Sequence, residues 1–197
     1  MSAAGAEAGA AARPRTQRCV ALLRGINVGR AKRVAMADLR ALLEALGYRN
    51  VRTLLNRGNA VFDAPAKARA GHAPRIQAAV LARLAVDARV IVKSADEFAA
   101  VVAGNPLLGR ATDPSRLLVA FTDDPARLPG LADLAAMDWS PDALAIAPHA
   151  AYLWCAQGVL DSKLAQAVGR RLGDAATTRN WATVEKLQAL LQSGATR

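Results

Sequence analysis

Aromatic residues make up 4% of this 197-residue chain. Its core must therefore be built from Leu, Val and Ile, and no exposed run of rings for stacking nucleobases is evident. Histidine occurs only at positions 72 and 149, which excludes a His-based metal cluster. Both lie in loop-like stretches and are expected to be solvated. Cys19 and Cys155, the only cysteines, fall in apolar runs and form neither a CxxC pair nor a zinc spacing. They are expected as buried, unlinked thiols in a reducing cytoplasm, where they pack as small hydrophobes. No apolar run approaches the roughly 18–20 residues that span a bilayer. Residues 1–17 carry Arg13 and Arg15 without a following h-region, so they read as a disordered Ala/Gly-rich leader and not as a secretory signal. The chain also lacks a GxSxG elbow, a Walker A loop, a GxGxxG fingerprint and a recognisable Cys–His pair.

What the chain does have is basic charge, unevenly spread. The formal charge is +10; residues 1–104 hold 17 Lys and Arg against 7 acids, and residues 105–197 hold 9 of each. An excess confined to one half suggests an anionic partner for that half. An arginine-rich composition that merely solvates the surface is the competing explanation. The densest stretch is Arg24-Gly25-Ile26-Asn27-Val28-Gly29-Arg30-Ala31-Lys32-Arg33, with four cations and no acid.

Periodicity gives the element order. A strand over Arg18–Arg24 precedes a helix over Met36–Leu46, whose Met36, Leu39, Leu42, Leu43 and Leu46 share one face and whose stop is Gly47. Strands over Asn50–Leu55 and Asn59–Phe62 flank the turn Asn56-Arg57-Gly58. A loop around Pro65–Gly71 leads to a helix with Pro74 in its first turn, then to a strand over Arg89–Lys93. Ser94 and Glu97 form a capping box for a helix ending at Gly104. The order β-α-β-β-α-β is the ferredoxin-like arrangement. The second half repeats it: a strand over Arg116–Thr122, a helix opening at Pro125 or Pro129 and running to about Met137, a hairpin around Pro148-His149, a helix ending at Gly173, a strand over Ala176–Arg179 and a final helix. The expected fold is α+β, two tandem ferredoxin-like lobes with antiparallel sheets and helices on one face. Residues 18–104 form the first lobe and 105–197 the second.

In such a sheet the spatial order is 4-1-3-2, which sets the turn 56–59 against the end of strand one. Arg24, Arg30, Lys32, Arg33 and Arg57 would then crowd together, with Asn27, Asn56 and Asn59 as amide donors. Backbone amides near Gly25, Gly29 and Gly58 would approach a ligand closely. Phosphate and carboxylate suit such a convergence. Arg83 and Arg89 are expected to lie far from this edge. A second candidate is Thr177-Thr178-Arg179-Asn180-Trp181, with Asn180 as helix cap and Arg179 at the positive end of the helix. Turn glycines, capping asparagines and a buried Trp181 explain the same residues without a ligand.

Leu22-Leu23-Arg24-Gly25-Ile26-Asn27-Val28-Gly29, Met36-Ala37-Asp38-Leu39-Arg40, Gly58-Asn59 and Thr177-Thr178-Arg179-Asn180-Trp181 together resemble the bacterial family catalogued as domain of unknown function 1697, over residues 18 to 191. The resemblance implies a cytoplasmic α+β protein with paired ferredoxin-like lobes and no agreed activity. The family usually continues its opening loop with a second glycine and a Lys-Asn-like pair, where this chain has Arg30-Ala31-Lys32. It usually has Gln-Ser before the hairpin Gly-Asn, where this chain has Asn56-Arg57.

Three functions compete. The first is a module that binds a phosphorylated small molecule or nucleic acid at the basic edge through Arg24, Gly25, Asn27, Gly29, Arg33, Asn56, Arg57, Gly58 and Asn59, with Arg179 and Asn180. Nucleic acid would then be held through its phosphates, since strand three offers only Phe62 for stacking. The second is an enzyme acting on a small anionic substrate between the lobes, where Arg24, Asn59 and Arg179 converge. The third is an interaction protein without a ligand. No cofactor, metal or membrane partner is indicated, and the sequence does not fix the oligomeric state.

Overall fold

The structure, a computed structural model, describes residues 16–27, 33–65 and 71–193. Most of the leader, Gly29, Arg30 and Lys32 of the basic loop, and residues 66–70 lie outside the described residues. The first unit runs β1 (Thr16–Arg24), α1 (Met36–Ala45), β2 (Arg49–Leu54), β3 (Asn59–Pro65), α2 (His72–Leu84), β4 (Arg89–Ser94) and α3 (Ala95–Ala103). The second runs β5 (Leu117–Thr122), a 3-10 stretch (Pro125–Leu131), α4 (Ala132–Ala135), β6 (Ala143–Ile146), β7 (Ala151–Trp154), α5 (Lys163–Leu172), a 3-10 turn (Gly173–Ala175), β8 (Ala176–Asn180) and α6 (Trp181–Gln192). Each unit holds one four-stranded antiparallel sheet, ordered β2-β3-β1-β4 and β6-β7-β5-β8. This is the expected α+β fold with paired sheets.

The helices do not keep to one face. Along β1, Cys19, Ala21 and Leu23 point into a core under α1 and α2, while Val20 and Leu22 point the other way. There they meet Phe98 and Val101 of α3, Trp181, Val184 and Leu187 of α6, and Leu117, Val119 and Phe121 of β5. The remaining face of the second sheet, with Leu118 and Ala120, packs under α5 and the 3-10 stretch. A strand apolar on both sides is a strand buried on both sides, as β1 and β5 are. The order is thus α1/α2, sheet, α3 with α6, sheet, α5. Each unit's trailing helix crosses to the face its own crossover helices leave bare.

Two further expectations are corrected. The helix foreseen from Pro125 or Pro129 to Met137 is a 3-10 stretch followed by a four-residue α4. Pro129 sits inside the segment and has no N–H to give the preceding turn, so an α-helix cannot run through it. His72 is not solvated: it is 3% exposed, opens α2, and its Nδ1 lies 2.9 Å from the Tyr48 hydroxyl. Burial lowers its pKa, with the neighbouring Arg75 charge adding to the effect. Cys19 and Cys155 are buried and are not joined in a disulfide. The capping box holds: Ser94 Oγ accepts from Glu97 N at 3.2 Å, and Glu97 Oε2 accepts from Ser94 N at 2.8 Å.

Candidate functional site

β1 ends at Arg24, and the chain turns through Gly25, with φ +77°. Ile26 plugs the core at 6% exposure. Asn27, also at positive φ, is the organiser of this corner. Its Nδ2 donates to Val34 O at 3.1 Å and to Asn56 O at 2.9 Å, and its Oδ1 accepts from Val34 N at 2.8 Å. One side chain thus ties Asn27 and Val34 to the β2–β3 turn. A short asparagine amide that tolerates left-handed backbone suits this role. On the other side Leu23 N donates to Gly58 O at 2.8 Å. At Gly58, with φ +71°, a Cβ would lie 2.7 Å from Ile26 Cδ1 and 2.8 Å from Leu23 Cβ, so only glycine fits.

The basic loop and the hairpin turn are therefore adjacent, but their polar residues divide by burial. Arg33, Asn56 and Arg57 are exposed. Asn59 is fully buried; its Nδ2 donates to Leu54 O at 3.1 Å and its Oδ1 accepts from Arg179 Nε at 2.6 Å. Arg179 is 8% exposed. Nη1 donates to Thr177 Oγ1 and Thr178 O, both at 2.8 Å, and Nη2 donates to Leu23 O at 2.8 Å and Arg57 O at 3.3 Å. The arginine fork is thereby fully engaged, and by neutral oxygens only. Its pKa is pushed down to about 10, first by burial and then by the charge of Arg57.

Arg24 also crosses between the lobes. Its Nη1 donates to the carbonyls of Gly173 and Ala176, and its Nε lies 3.7 Å from Asp174 Oδ1. These acceptors lie in the 3-10 turn just after α5 and at the first residue of β8, so Arg24 ties the end of β1 to the start of β8. Asn180 caps α6, accepting from Thr183 N at 3.1 Å, and Trp181 behind it is buried. Asn59 and Arg179 are bonded to each other across the lobes, whereas Arg24 makes its own separate contacts to Gly173, Ala176 and Asp174.

Sequence order alone misplaces one cation. Arg89 is the strand partner of Arg24, at the same end of the sheet, and exposed. It belongs to the basic edge and is no remote control. Strand order 4-1-3-2 contains that information, because strand four starts where strand one ends. Arg83, in the last turn of α2, leads into the same end. Among the described residues no group of three or more His, Cys, Asp or Glu could hold a metal ion, and no helix is long and apolar enough to cross a membrane.

Comparison with known proteins agrees with this picture. The conserved bacterial protein SP0830 from Streptococcus pneumoniae has a similar solved structure, with a TM-score of 0.67 and 23% identity over 90% of this chain and 99% of that one. At that identity the likeness is one of fold. No curated protein matches the sequence. The model of the family described as "Protein of unknown function (DUF1697)" matches residues 16–152, from the start of β1 into β7 and across the whole basic edge, and the chain belongs to that family.

Proposed function

We propose that the protein binds a phosphorylated ligand, a nucleotide or a nucleic-acid strand, at the basic edge formed by Arg33, the 55–58 turn and the start of β4. One observation carries the reading: Arg179 is a buried cation whose only partners are neutral oxygens, and exposed Arg57 raises its electrostatic cost further. An anion settling over Arg57 offsets both positive charges at once, an advantage that no ordinary surface patch offers. Arg33 and Arg89 supply further exposed cations beside it. Because helices cover both faces of the first sheet and Phe62 is fully buried, bases have no ring platform there. A nucleic acid is then held by its phosphates, with little base selectivity and a steep salt dependence.

The test compares R33A/R57A with R40A/R49A, which removes two exposed cations from the same lobe. Arg49 starts β2 at the end opposite the turn, and Arg40 is mid-helix, paired with Glu44. Titration of ATP and of a single-stranded oligonucleotide at two salt concentrations is expected to show at least about a tenfold greater loss for R33A/R57A, about 1.4 kcal/mol. Equal losses in the two variants would mean diffuse charge and no site.

A further inference from the structure

The second lobe carries a cavity of about 330 Å³ between α5 and the sheet, lined mainly by apolar side chains. Its origin is local. On α5, Ala165 and Gly169 stand one turn apart on the wall, and a Cβ built at Gly169 meets nothing within 4 Å. Glycine inside a helix costs about 0.5–1 kcal/mol relative to alanine, and here that cost leaves open space. Leu118 and Leu153 form the floor, and Leu160 at the wall is 90% exposed, an apolar side chain with nothing packed over it. At that size the cavity stands at the lower end of the range of small-molecule pockets, roughly 300–1,000 Å³.

One cation lines it, Arg24. Its Nη1 is fixed by the Gly173 and Ala176 carbonyls, while among the described residues Nη2 takes no hydrogen bond. Thr178 is the neighbouring hydroxyl, and no acid is among the lining residues. The nearest opposing charge is Asp174, 77% exposed and 3.7 Å from Arg24 Nε, too solvated to hold the guanidinium strongly. We infer that this cavity binds a small amphipathic carboxylate, its apolar tail against the α5 groove and its head at Arg24. Apart from Arg24, contributed by the end of β1, the site is built from the second lobe, and it does not rest on the basic-edge proposal.

Calorimetric titration of the whole protein with octanoate, octanol and inorganic phosphate tests it. Octanoate is expected to bind saturably and octanol about tenfold more weakly, with no competition from phosphate. G169L, which fills open space and replaces a helical glycine, should lose octanoate binding while its urea midpoint stays at or above that of wild type; A165L is the second filling variant. D174N should tighten octanoate, and R33A/R57A should leave it unchanged. Absence of saturable octanoate binding, equal binding of octanoate and octanol, or full binding by both filling variants would each overturn the assignment.

Discussion

Replacing Arg179 by methionine sets two effects of opposite sign against each other. The guanidinium is buried, and the fall of its pKa from its ordinary value to about 10 corresponds to ~3 kcal/mol of disfavoured charge. Because the folded value is the lower one, that cost is present in full below about pH 10 and vanishes only as the pH rises through the ordinary arginine value. On this effect alone, R179M stabilises. Against it stand the acceptors left behind. Thr177 can turn its hydroxyl, and the Thr178 and Arg57 carbonyls are only partly buried. Asn59 Oδ1 and Leu23 O, however, lose their donor inside the buried seam. Asn59 cannot turn to compensate, since its Nδ2 is committed to Leu54 O. Two orphaned buried acceptors cost about 1–3 kcal/mol each, and the charge-assisted bonds that opposed the desolvation are gone as well. With about 2–6 kcal/mol for the two acceptors set against ~3 kcal/mol of relieved charge, the hydrogen bonds win and R179M is expected to lose ~1–3 kcal/mol. Urea unfolding followed by far-UV circular dichroism and by tryptophan fluorescence measures it, since Trp154 and Trp181 sit in the core shared by both sheets. In R179M/N59L, where donor and acceptor are removed together, part of the loss should return. A single variant as stable as wild type would refute the reasoning and show the buried charge to be the larger effect.

Gly58→Ala combines a positive φ with Cβ contacts under 3 Å to Ile26 and Leu23, so it should cost ~2–4 kcal/mol in the urea midpoint; a loss under about 1 kcal/mol would mean the turn yields freely. His72 has a lowered folded pKa, so the unfolded chain binds its proton first as the pH falls. Stability should therefore hold above pH 6.5 and decline below it, and H72Q should flatten that decline in pH-dependent melting curves. Cys19 and Cys155, at 2% and 0% exposure, should react with a thiol reagent only after unfolding in urea; labelling of either in native buffer would contradict their burial.

The paired sheets were legible in the sequence because their signals are local. Helical spacing, strand alternation and turn glycines act within a few residues, and each agrees with the fold around it. The Ser94–Glu97 capping box is legible for the same reason, since donor and acceptor are three residues apart. Which face a trailing helix covers is not local. The apolar residues of α3 pack equally well on either side of a sheet until α6 and β5, far along the chain, close over them. His72 was misread because its loop-like neighbours say nothing of Tyr48, 24 residues earlier, which takes its ring nitrogen into the core.

Arg179 is the sharpest case. In sequence it is a cation at a helix start, where anions bind. Its acceptors Asn59 and Leu23 lie 120 and 156 residues away, and only folding shows that its fork is filled. Arg24 and Arg18 go the same way, reaching carbonyls of Gly173 and Leu190 in the second half of the chain. Arginine suits this work because its planar fork keeps its donors aimed while the weakly hydrated cation tolerates a seam. The arginines around this seam therefore form two populations. One is spent internally, tying the lobes through backbone oxygens that a lysine, with a single nitrogen, could not reach in the same pattern. The other stays at the surface, with Arg33, Arg57 and Arg89 at the basic edge. On the proposed reading an anion at the basic edge would meet only the second population, so the formal charge of +10 overstates what that edge offers. The buried member still contributes through its field: by lying beside Arg57 without an acid, Arg179 makes this end of the sheet more attractive to an anion than the exposed cations alone would make it.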